Sequence, residues 1–84
     1  MSDESIATRI ERLVAEEHEL RSREERDSTD GDALAADRER MHSVEVELDR
    51  CWDLLRQRRA RRAAGQDPDD AQVRDETTVE HYLQ

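Results

Sequence analysis

Eighty-four residues allow one small domain, near the lower limit at which a single apolar core can stabilise a fold. The chain is 44% charged and 33% hydrophobic, has no Phe, and carries a net charge of −9. No stretch approaches the roughly 20 apolar residues that span a bilayer, and composition alone leans toward disorder. Periodicity has to overrule that leaning.

All 14 basic residues are Arg, and Glu, Arg, Ala and Leu dominate, the composition of long helices and coiled coils. The single Cys excludes an intrachain disulfide and gives no sign of an oxidising compartment. The opening MSDESIATRIE is acidic and lacks the apolar core of a signal peptide, so the expected location is cytoplasmic. Charge is unevenly distributed. Residues 1–32 hold 11 acids against 5 Arg, residues 33–64 hold 6 against 8, and residues 65–84 hold 6 against 1. A positive middle third thus lies between two acidic thirds, which are its natural electrostatic company.

Ser2 or Asp3 can cap a first helix, with Asp3 and Glu4 well placed at its positive end. Ile6, Ile10, Leu13, Glu17 and Leu20 then recur at alternating spacings of four and three, a heptad seam with one polar member. The spacing predicts a helix over about 4–26. Glu17 in the seam either pairs with Arg21 or Arg38 to set register, or leans outward at a loosely packed level. Residues 27–32, DSTDGD, form a turn signal, because Asp and Ser bond local backbone and Gly tolerates positive φ. A turn this short predicts antiparallel helices.

The second helix is expected over about 33–64. Leu34, Met41, Leu48 and Leu55 repeat every seven residues with Val44 and Cys51 between them. Gly65 suits the position just past a helix end, Arg favours the negative pole of the dipole, and Pro68 prevents resumption. When the hairpin is folded about Asp30 and Gly31, Leu20 faces Met41, Leu13 faces Leu48, Ile10 faces Cys51 and Ile6 faces Leu55. Two independent heptad patterns agree in one register centred on the turn. Residues 65–84 read as an acidic tail, DPDDAQVRDE being turn or loop unless Pro68 opens a short helix. Thr77 and Glu80 form a capping-box pattern before Val79, Tyr82 and Leu83, which suggests a short terminal helix.

The expected architecture is all-α: an antiparallel two-helix hairpin, coiled-coil-like, with an acidic C-terminal segment, forming a four-helix bundle as a homodimer. The dimer is expected because Ala7, Val14 and Trp52 widen the apolar stripe on one flank (heptad position e) beyond what the hairpin consumes. A second copy, the tail or another protein must cover them. Trp52 is read as packing or interface ballast rather than a ligand-stacking residue.

Catalytic and metal motifs fail one by one. Glu39-x-x-His42 resembles half of a di-iron site, but both residues fall on the solvent side of the heptad. Cys51 falls in the seam, where a thiol acts as a small hydrophobe. There is no CxxC, HExxH or glycine-rich phosphate loop, so neither enzyme activity nor a cofactor or metal is expected. Arg56, Arg58, Arg59, Arg61 and Arg62 occupy nearly all faces of the second helix end. They can grip phosphates of nucleic acid or a ribosome. Alternatively they pair with Asp3, Glu4, Asp67, Asp69, Asp70 and Glu76, the reading that the net charge favours. The candidate interaction surface is therefore Val14, Trp52, Arg56, Arg58, Arg59, Arg61, Arg62 and Tyr82, for an unknown protein partner.

ELDRCWDLLRQRRARR, followed by AAGQDPDDAQVR and the terminal VEHYLQ, resembles a small actinobacterial family of proteins of unknown function. The similarity spans nearly the whole chain and is strongest over 47–74. It implies a small intracellular helical protein and supplies no activity, substrate or catalytic residue.

Overall fold

The structure is a computed structural model that describes residues 2–26 and 31–74. Among the described residues two helices, α1 (Asp3–Arg26) and α2 (Gly31–Ala63), pack against each other, and a 3-10 turn, Pro68–Asp70, follows. No strand occurs among the described residues. The helices run antiparallel, since Arg9 bonds Glu47 and Glu16 bonds Arg40.

The local chemistry of each helix end explains its position. Ser2 and Ser5 form a reciprocal capping box: the Ser5 amide donates to Ser2 Oγ at 3.1 Å and the Ser2 amide to Ser5 Oγ at 3.0 Å, satisfying two otherwise orphaned donors. Asp3 and Glu4 occupy the first turn, where the helix dipole favours acids. At the other end of α2, Gly65 adopts φ 73°. Its amide donates to the Arg62 carbonyl, while the Gln66 amide reaches back to the Arg61 carbonyl at 2.7 Å. This is a Schellman closure, whose left-handed residue is nearly always glycine. Asp67 then caps the 3-10 turn by accepting from the Asp69 amide at 2.9 Å.

The core is a single seam. Ile6, Ile10, Leu13 and Leu20 of α1 are buried with Val44, Leu48, Cys51 and Leu54 of α2, and Met41, Leu55 and Ala71 pack against them. Each end of the seam is polar. Near the turn, buried Asp37 meets Arg23 at 2.9 Å, and Arg38 lies 3.4 Å from Glu24. At the open end Arg58 is buried against Asp3. Glu17 is half-buried, with Arg21 3.4 Å away, and Arg38 goes to Glu24 instead.

The seam departs from expectation near both ends: by the turn Leu34 is only half-buried and outside the core while Asp37 is buried, and at the open end burial shifts by one residue. Leu54 rather than Leu55 is fully buried there, and Leu55 is half-buried. The heptad places Leu54 beside the seam, on the g flank. Burial reaches it because the chain after Gly65 folds back along α2 and brings Ala71 onto the core. Asp69 meets Arg58, Gln72 meets Gln57 and Arg74 meets Asp53, so this segment runs opposite to α2. Val79, Tyr82, Leu83 and the capping-box pattern at Thr77 and Glu80 lie outside the described residues.

Candidate interaction surface

α2 presents three chemically different faces besides its seam. The first is the e flank. A heptad that buries Leu13 and Cys51 must carry Val14 and Trp52 to the same side, one residue further along each helix. The two remain the large apolar groups on this flank, with Trp52 52% and Val14 37% exposed. Trp is a costly residue to leave half in water, because its ring offers on the order of 150–250 Å² for burial. Nothing in residues 66–74 covers it, since that stretch is tied to the far side of α2 through Asp53, Gln57 and Arg58.

The second face is the arginine-rich end, and the structure separates its five members. Arg58 is only 7% exposed. It donates to Asp3 Oδ1 at 2.5 Å, to the Pro68 carbonyl at 3.2 Å and to Asp69 Oδ1 at 2.9 Å. One guanidinium thus fastens the start of α1, the end of α2 and the returning chain, a use suited to a planar fork whose donors are spread over separate nitrogens. Arg62 completes the grip on Asp3 at 2.6 Å. Held by Arg62 and Arg58, the Asp3 carboxyl titrates at about 2 instead of 3.8, and Arg58 likewise holds the Asp69 carboxyl below its ordinary value. Arg56 lies 3.6 Å from Asp53. Arg59 stands exposed and Arg61 half-buried.

The third face was not anticipated. Asp53 falls at heptad position f, nominally the most solvated, yet it is completely buried. Arg74 clasps it through two parallel bonds of 2.6 and 2.9 Å, and Gln57 donates to it at 2.9 Å while also bonding the Gln72 carbonyl. A buried carboxylate is tolerated when its lone pairs are filled in this way. The sequence held one clue: Arg74 is the lone basic residue of 65–84, and a single cation in an acidic tail needs a single acid to meet. Glu39 and His42 both lie exposed on the outer side of α2, and Tyr82 lies outside the described residues.

Two packed helices with one core seam, a half-exposed Trp on the flank and residues 66–74 pinned by ion pairs define a small helical protein. The chain belongs to the family described as protein of unknown function DUF2630, whose model matches residues 2–84. It is 42% identical over 81 residues to an uncharacterised protein of Mycobacterium bovis, Mb0922c, covering 96% of this chain and 90% of that one. The same identity and coverage hold for the uncharacterised protein Rv0898c of Mycobacterium tuberculosis. No solved structure matches the chain. No specific function follows from the family or from these relatives.

Proposed function

We propose that the protein is a small cytoplasmic interaction module without enzymatic activity, whose working surface is the Val14–Trp52 flank and whose first partner is a second copy of itself. The half-exposed Trp52 ring carries this reading. A hairpin buries one stripe per helix, and an additional apolar group beside that stripe calls for another helical layer. The flank also bears exposed Arg21 and Glu45, opposite charges that a two-fold copy can match reciprocally. No described helix is long and apolar enough to cross a membrane, in keeping with a module that meets its partners in water. Other proteins would dock on the same flank or on the bundle it forms.

Sedimentation equilibrium of the full chain and of Trp52→Ala tests the proposal. The wild type is expected to show a monomer–dimer equilibrium with blue-shifted Trp emission at high concentration, and Trp52→Ala to remain monomeric. A wild type that stays monomeric, with Trp52 emission unchanged up to high concentration, overturns it.

The second reading, phosphate binding through the arginine-rich end, has less to stand on. Arg58 and Arg62 are committed to Asp3, leaving Arg59 and Arg61 as its main resources.

A further inference from the structure

The flank opposite Trp52 holds a cleft of about 550 Å³, within the range of roughly 300–1,000 Å³ typical of small-ligand sites. Its floor is apolar, made by Ile6 of α1, Cys51 and Leu54 of α2, and Val73 of the returning chain. Three guanidiniums, from Arg9, Arg12 and Arg50, stand at its walls against the single carboxylate of Glu47. Glu47 is already engaged by Arg9 at 2.8 Å, so the cleft keeps an excess of positive charge inside a protein of net charge −9. Arg50 is half-buried, and its Nε is fully shielded from solvent without a hydrogen-bond partner. That Nε is out of a ligand's reach, and the attraction for an anion comes from the charge of Arg12 and Arg50, left over once Glu47 is engaged by Arg9.

Apolar floor and cationic wall together specify a ligand with two ends. We propose that this cleft binds a small amphipathic anion, a carboxylate or phosphate head on an apolar body. The head sits among Arg9, Arg12 and Arg50, and the body lies on Ile6, Cys51, Leu54 and Val73. Arg12 and Arg50 confer selectivity for the anion, because their charge attracts an anionic head and repels a cationic one. The site is independent of the Val14–Trp52 flank.

Cys51 is the only cysteine and forms part of the floor, so its alkylation rate reports occupancy. The full chain is titrated with decanoate and decyl phosphate below their micellar concentrations, with decanol and decyltrimethylammonium in parallel. Both anions are expected to slow Cys51 labelling saturably. The exposed-residue change Arg12→Gln, and Arg12→Gln combined with Arg50→Gln, are expected to weaken the effect, the double change by about ten-fold or more in affinity. Trp52→Ala is expected to leave it unchanged. Helix content by circular dichroism verifies that each variant folds. Equal protection by decanol, no protection by either anion, or loss of protection in Trp52→Ala would each overturn the proposal. Protection that appears only after Asp75→Asn, Glu76→Gln and Glu80→Gln are introduced also overturns it, by assigning the cleft to the chain's own acids.

Discussion

The Asp3 carboxylate and the Arg58 guanidinium, fifty-five residues apart in sequence, meet at 2.5 Å. They occupy the level that the heptad register assigns to the last layer of the hairpin, beyond Ile6. An apolar pair there would be half open to water, because α1 begins at this level. A charged pair closes the seam instead, and the pair becomes a fastening point for Arg62 and Asp69.

This fastening titrates. The Asp3 carboxyl is depressed to about 2 by Arg62 and Arg58, below its value in the unfolded chain, so the folded state binds its proton less readily. Its contribution to stability is complete above pH about 4 and disappears as pH falls toward about 2. Asp69, lowered by Arg58, and Glu16, lowered by Arg40, act in the same direction. In denaturant melts, Asp3→Asn is expected to be less stable than wild type at pH 7 and at pH 4, with the gap closing by pH about 2. A gap that persists unchanged in strong acid would locate the effect elsewhere than in the ion pairs.

Removing one partner of the buried Asp53–Arg74 pair should cost more than removing the other. Arg74→Ala strands a carboxylate that is wholly out of water, although Gln57 still donates to it. The cost is on the order of 3 kcal/mol, at the lower end for a broken buried pair. Asp53→Ala leaves an arginine that keeps 36% side-chain exposure and can return to water, at about 1–2 kcal/mol. Urea melts of both single variants and the double variant measure the coupling, which is expected to be positive and above about 1 kcal/mol.

Leu54 and Leu55 are neighbours with opposite expectations. Leu54→Ala removes a fully buried side chain and should destabilise by about 2–4 kcal/mol, while Leu55→Ala, half-buried, should cost about half as much or less. Thermal melts that reverse this order would restore Leu55 as the seam residue and place Ala71 away from the core.

Gly65→Ala isolates a pure backbone effect. A Cβ at this position meets no atom within 4 Å, so sterics with neighbours contribute nothing. The positive φ of 73° should cost an alanine about 1 kcal/mol. Gly31→Ala, in a helical residue with equally open surroundings, is expected to be neutral or stabilising by up to about 1 kcal/mol. Equilibrium unfolding of the two variants side by side separates these signs.

How far the sequence discloses this fold depends on which force acts at each position. The seam from Ile6 to Leu20, and from Met41 to Cys51, follows from helical periodicity because burial there depends only on two helices meeting. The level of Asp3 against Arg58 follows from the same register. Leu54, Asp53 and Arg74 do not follow, because their burial depends on where residues 66–74 travel after the Schellman turn. That path is decided by three specific side-chain bonds, to Arg58, Gln57 and Asp53, and bonds of that kind leave no periodic signature. Trp52 was legible as an off-seam residue, and its half-exposure fits a surface the hairpin itself does not consume. The cleft beside Cys51 was illegible for the same reason as Leu54, since Val73 builds part of its floor.

The seam's two polar ends also bear on the order in which the molecule assembles. Asp37 and Arg23 are separated by a short stretch of chain, so their level can close early at little entropic cost, whereas Asp3 and Arg58 enclose almost the entire hairpin. The hairpin is therefore expected to zip from its turn toward its open end, with the returning segment, which needs Arg58 already in place, docking last. Breathing of the native state is expected to begin in reverse order, at the Asp3–Arg58 clasp, so that in hydrogen-exchange measurements amides near 3–8 and 66–74 exchange before those around Leu13 and Leu48.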